Sequence, residues 1–258
     1  KRKREIAAGV FAFLAVLLLL RTACRSTEPE RSYKADASIM QMSATVAGAH
    51  IRDTGTATKA LILTRPSRSA EYLKKVVKAA RKGLKRGFGK DVAVAGTAAP
   101  EFTEKIAVRL SGKPLSELPD LSKWLPPLGY WFDAEVLRAV AEQHPDCDVI
   151  VSMVGLPLTQ DGAPALGLER FGRGRLPTLV VLDGSLPRMD ALESLMAGGS
   201  VAAAVASVPC GVSAYPESAP EAFRSAFEET RCLLTPRNVA DAAKRCPELN
   251  RLKNVLKE

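Results

Sequence analysis

The stretch Cys147-Asp148-Val149-Ile150-Val151-Ser152-Met153-Val154-Gly155 decides the fold. It is apolar on successive residues, where a strand with one wet face would alternate, and it ends at a glycine. Such a run suits a strand covered on both faces, the usual state of a parallel sheet. Four more runs share the texture: 60–64 (ALILT), 91–96 (DVAVAG), 177–184 (PTLVVLDG) and 200–209 (SVAAAVASVP). Longer amphipathic segments lie between them. Ser69 to Phe88 places Leu73, Val76, Val77, Ala80 and Leu84 on one stripe, and Phe132 to His144 does the same with Val136, Leu137, Val140 and Ala141. Met189 to Ala197, Pro220 to Glu229 and Pro236 to Arg245 read as shorter helices, the last two around a short RCLLT run, and the C-terminal ELNRLKNVLKE as one more.

Strands alternating with helices predict an α/β fold in three layers: a mostly parallel sheet of five or six strands with helices on both faces. The expected domain runs from 59 to 258. Two segments interrupt it, 111–131, proline-rich and holding both tryptophans, and 156–177, a Gly/Pro loop where a crossover helix was due.

Ahead of the domain, Lys1 to Arg4 precede an uncharged apolar run from Ile6 to Leu20, closed by Arg21. This is the layout of a secretory signal or a short anchor. Fifteen helical residues reach about 22 Å, short of the roughly 30 Å of a bilayer's hydrocarbon. The run's end resembles a bacterial lipoprotein signal, with Cys24 as the residue that would carry lipid; Arg21 stands where such signals place an apolar residue. Residues 1–24 are thus expected to form a hydrophobic N-terminal helix that is lipid-anchored, retained or cleaved, the remaining alternative being a buried helix of a cytosolic domain. Residues 25–58 are rich in Ser, Thr and Ala and show no sustained period outside Ile39 to Ile51, which predicts a tether. The body is expected to be extracytoplasmic and membrane-anchored.

The formal charge of +9 drops to +5 without residues 1–24, which hold five bases and one acid. The five cysteines are Cys24, Cys147, Cys210, Cys232 and Cys246. With Cys24 lipidated, four remain for two disulfides or for buried thiols. No pair has zinc-ligand spacing, the histidines are His50 and His144, and neither a metal nor a cofactor is expected.

Common catalytic plans for such sheets lack their motifs: the sequence has no G-x-x-x-x-G-K-[ST], no strand-to-helix G-x-G-x-x-G and no G-x-S-x-G. The turn after the first strand, Thr64-Arg65-Pro66-Ser67-Arg68-Ser69, offers guanidinium groups, hydroxyls and a helix N-terminus to an anion at the sheet's C-terminal edge. Asp183 and Ser185, at the end of the fourth strand, and Thr97, after the second, face the same edge, where ligands of open α/β sheets bind. Ser152 with Gly155, and Pro209 with Cys210, complete the expected rim. Ordinary capping and turn formation is the competing account of all these residues. Trp124, Tyr130 and Trp131 gather scarce aromatic surface, a candidate patch for a protein partner. The helix from Ser69 carries Lys74, Lys75, Lys78, Arg81, Lys82, Lys85 and Arg86, with Glu71 as its one acid. Without interleaved aromatics this stripe does not fit single-stranded nucleic acid; a solvated helix face is the default reading, and in an extracytoplasmic domain an anionic membrane or an acidic partner protein is the alternative.

Residues 59 to 209, through CDVIVSMVGLP, LPTLVVLDGS and SVAAAVASVP, resemble one lobe of the type 1 periplasmic-binding-protein fold. The resemblance implies a receptor-like fold, and with the catalytic motifs missing the expected function is a non-catalytic binding module for a small polar or anionic ligand or for an envelope partner protein. Such receptors close two lobes, and the roughly 50 residues after 209 are too few for a second, so a single-lobe binder is expected. A structural subunit of an envelope assembly, and an enzyme acting on an anionic substrate, are the alternatives.

Overall fold

A computed structural model describes residues 27–55, 57–66, 71–118, 127–159, 161–174, 176–184, 186–247 and 249. Six strands form one sheet: β1 (Lys59–Leu63), β2 (Ala93–Ala98), β3 (Val149–Ser152), β4 (Thr178–Val181), β5 (Val201–Ala206) and β6 (Cys232–Leu234). Their spatial order is β2-β1-β3-β4-β5-β6. All neighbours are parallel except β5 and β6, which pair antiparallel with Ala204 opposite Leu234. The apolar runs are strands because both of their faces are covered. Leu61, Ile150, Leu179, Val181 and Ala204 point into one core; Ile62, Val149, Val151, Val180 and Ala203 point into the other.

Among the described residues seven α-helices accompany the sheet: α1 (Thr27–Thr54), α2 (Glu71–Phe88), α3 (Glu104–Ser111), α4 (Ala134–Glu142), α5 (Met189–Ala197), α6 (Arg224–Glu228) and α7 (Val239–Arg245). Helices α4, α5 and α7 supply the first core; α1, α2 and α6 supply the second. The three-layer, mostly parallel expectation therefore holds, with six strands. The described residues of segment 156–177 include no α-helix; they make a 3-10 turn at Leu168–Arg170 and pack Leu168 and Phe171 into the first core. The hydrophobic leader and Cys24 lie outside the described residues, and among those described no helix is long and apolar enough to cross a membrane.

The tether expected over 25–58 is corrected: Thr27–Thr54 is a helix of 28 residues, and Met42 to Ala49 are buried without interruption. Its partner is α2. A Cβ added at Gly83 would lie 2.3 Å from the Gln41 carbonyl oxygen, and one at Gly87 would lie 2.3 Å from that of Thr45. Gly48 faces the Gly87 Cα in return, its own added Cβ falling 3.3 Å away. Glycines four residues apart let two helix backbones touch, here running in the same chain direction. Thr45, buried in this contact, keeps its hydroxyl satisfied by donating to the Gln41 carbonyl at 2.8 Å. Ser43 and Thr45 are thus interior packing residues.

One disulfide joins Cys210, after β5, to Cys232 at the start of β6, while Cys147 and Cys246 are buried thiols. Of the two cysteine alternatives, each accounts for half.

Two stability predictions follow from these contacts. Replacing Gly87 by alanine should destabilise the protein by about 2 kcal/mol, although alanine is the better helix former by about 1 kcal/mol. Gly96→Ala, where the added Cβ meets nothing within 4 Å, should stay within about 0.5 kcal/mol; urea unfolding followed by far-UV circular dichroism measures both. Cys210→Ser/Cys232→Ser, opening a loop with a sequence separation of 22, should cost about 3 kcal/mol in the same assay.

Candidate functional site

At the C-terminal edge of the sheet, four chain segments converge on a cavity of about 100 Å³. The exit of β4 supplies Leu182 and Asp183, the middle of α1 supplies Asp36, Ile39, Met40 and Ser43, the first turns of α2 supply Tyr72 and Val76, and the approach to β6 supplies Arg231. The floor is apolar and the rim is polar. The Tyr72 hydroxyl donates to Asp36 Oδ2 at 3.1 Å. Burial raises the Tyr72 phenol above its ordinary value, the Asp36 hydrogen bond and the negative charges of Asp36 and Asp183 add to the rise, and the Arg65 guanidinium opposes it. Arg231, half-buried, donates through Nη1 to the Thr230 carbonyl at 3.0 Å.

Loop geometry fixes the position of Asp183. Gly184, the next residue, has φ of 96°, and an added Cβ would fall 2.3 Å from the backbone of Val154 and Gly155. The exits of β3 and β4 therefore lie backbone against backbone, as only glycine permits. On the β3 side, Ser152 Oγ donates to the Gly155 carbonyl at 2.6 Å and accepts from Val154 N–H at 3.2 Å. Ser152 is consumed by this turn and is buried, which removes it and Gly155 from the expected rim.

The other expected residues separate. Thr64 directly follows β1, its N–H donating to the Ala98 carbonyl at 2.9 Å, while its hydroxyl is buried without a hydrogen-bond partner. Arg65 is exposed and near enough to Tyr72 to act on its titration. Thr97 pairs with Ile62 on the edge strand, is exposed, and takes no part in the cavity. Ser67, Ser69, Ser185 and Trp124 lie outside the described residues. Cys210 is held in the disulfide.

The aromatic patch is corrected in part. Trp131 is 1% exposed, edge-on to Phe102 with ring centroids 5.5 Å apart, so it is core; Tyr130 is 67% exposed. Trp131 goes inward because Asp133, two residues on, caps α4 by accepting from Val136 N–H at 2.9 Å and also pairs with Arg109.

Of the expected residues Asp183 lines the cavity and Arg65 does not, while Asp36, Tyr72 and Arg231 line it without a motif that singles them out. Tyr72 falls in the first turn of a readable helix. Asp36 sits in a segment whose composition resembles a linker. Among the described residues no group of three or more His, Cys, Asp or Glu is disposed to hold a metal ion.

No family model matches the chain, and no curated protein matches it. Similar solved structures include an arabinose-binding protein from Geobacillus stearothermophilus, with 12% identity and a TM-score of 0.39 over 78% of this chain and 62% of the other. The substrate-binding protein of a sugar ABC transport system from Bordetella parapertussis matches with 13% identity and a TM-score of 0.40, covering 78% of this chain and 57% of its own. A solute-binding protein of an ABC transporter from Burkholderia graminis, in complex with D-arabinose, matches with 19% identity and a TM-score of 0.38, covering 77% and 60%. The chain spans about three fifths of the length of each of these proteins. The sugars named for them are theirs.

Proposed function

We propose that the chain is a non-catalytic, membrane-tethered extracytoplasmic binding domain that takes a small polar ligand at the Asp36–Tyr72–Asp183–Arg231 cavity. The observation that carries this reading is the meeting of two carboxylates, a phenol and a guanidinium, from four separate segments, over an apolar floor at the edge where open α/β sheets take ligands. Two carboxylates facing one arginine favour a neutral or zwitterionic molecule that donates hydrogen bonds to Asp36 and Asp183 and accepts one from Arg231. They disfavour the simple anion that the Arg65 turn brought to mind. The volume, small beside the several hundred Å³ of drug-sized sites, restricts the enclosed part of the ligand to a few non-hydrogen atoms. Tethering draws on the cation-led apolar leader, and an oxidising compartment agrees with the Cys210–Cys232 bridge.

A panel of sugars, amino acids, amines and carboxylates tests the cavity by thermal denaturation. A true ligand at about a hundred times its Kd should raise Tm by roughly 5–10 °C. Asp183→Asn and Arg231→Gln should each abolish the shift while leaving the ligand-free Tm within about 2 °C for the exposed Asp183. If no compound that both donates and accepts shifts Tm, or both variants keep the shift, the cavity is not the site. The tether is read separately, by mass spectrometry of the protein from its native host. The expected species carries lipid on Cys24 or keeps Lys1 to Arg21, and an unmodified N-terminus cut next to Cys24 refutes anchoring.

A further inference from the structure

After Glu71, the outer face of α2 carries charge of a single sign along its length. Lys74, Lys75, Lys78, Arg81, Lys82, Lys85 and Arg86 are all exposed. At 100° per residue they occupy an arc of about 140°, and they extend along about 18 Å of the axis. The opposite arc holds Val76, Ala80, Gly83, Leu84, Gly87 and Phe88, all buried against α1 and the sheet. Among the described ion pairs none includes any of the seven. The Arg86 guanidinium lies 4.8 Å from the centroid of the Phe223 ring.

This face is built against its own interest as a solvated helix. Lys74 and Lys78, Lys78 and Lys82, Arg81 and Lys85, and Lys82 and Arg86 are like-charged pairs four residues apart, each destabilising, and no glutamate is interspersed to relieve them. A planar anionic surface relieves all of them at once. We infer that the α2 face docks on the anionic headgroups of a lipid bilayer. Charge complementarity names an anion; the convex, aromatic-free outline selects a flat lipid surface over single-stranded nucleic acid, whose bases need stacking platforms. The inference rests on the tethered reading above only for bringing the face to the bilayer, because α1 begins at Thr27, three residues after Cys24, and lies directly against α2. A docked α2 would hold α1 close to the membrane plane.

Co-sedimentation of the full chain with vesicles of phosphatidylcholine alone, and with 30 mol% phosphatidylglycerol, tests it. At 50 mM NaCl the anionic vesicles should bind at least tenfold more tightly, with most of the gain lost at 500 mM, since each surface cation contributes roughly fivefold near anionic lipid. Lys78→Gln/Arg81→Gln/Lys85→Gln should lose at least tenfold of that gain. Lys113→Gln/Arg173→Gln/Arg237→Gln, an equal charge change at exposed positions elsewhere, should keep it, which separates the face from net charge and from the basic leader common to all variants. Equal losses in the two triple variants, or no loss in the first, overturn the proposal. So does tighter binding to a 20-nucleotide RNA than to the anionic vesicles, abolished by the α2 variant. Absence of binding to neutral vesicles, with the α2-dependent gain intact, supports this docking face and counts against the tether alone.

Discussion

The backbone contact between α1 and α2 governs the rest of the structure. With Gly83 and Gly87 set against the Gln41 and Thr45 carbonyls, no side chain fits between the two helices. Their mutual position is set by main-chain shape. Small residues bury little apolar area each, but they lose almost no rotamer entropy on packing and bring many atoms to contact distance. One consequence is that a segment of unremarkable hydrophobicity becomes an interior helix. The other is the cavity. Nearer the N-termini the facing residues are Ile39, Met40, Tyr72 and Val76, which meet through side chains and leave open space above Leu182 and Asp183.

What the sequence made legible divides along the same line. Strands β1 and β3 to β5 could be read because their apolar runs are long enough to cover two faces, and α2 and α4 because their apolar residues are large and regularly spaced. Helix α1 hides its interior behind Ala, Gly, Ser and Thr, a composition shared by linkers, and the reason those residues are buried lies 40 positions away in the glycines of α2. Helix α3 was masked by the prolines that follow it; its C-terminal Gly112, at φ 69°, is the signal that was there to find. At the site, Asp183 was visible because it ends a strand. Asp36 and Arg231 were not, since neither belongs to a local pattern and only the packing of α1 and the reversal of β6 deliver them.

The tryptophan-containing insertion shows the limit of composition as a guide to surface. Clustered aromatics in a proline-rich loop imply a contact patch only if the backbone presents them outward. Here the Asp133 cap and its pairing with Arg109 fix the entry to α4, so that Trp131 seats against Phe102 while Tyr130 remains in solvent. A ring buried this way stabilises the crossover to β3, and its removal would be felt as lost packing.

The two proposed surfaces constrain each other. Helix α1 begins at the end of the domain that carries the cavity, because Asp36 to Ser43 line it while Ala49 and His50 lie near Ser218 and Ala202 at the opposite edge. A tether attached before Thr27, as proposed, would hold the cavity end of the domain nearest the bilayer, and a domain standing upright on it would have its cavity facing the headgroups. The proposed docking through α2 would lay the helices parallel to the membrane and turn the sheet's C-terminal edge sideways, toward solvent. On this geometry the cationic face would keep the path to the cavity open, and the repulsion along α2 would become the force that sets the orientation.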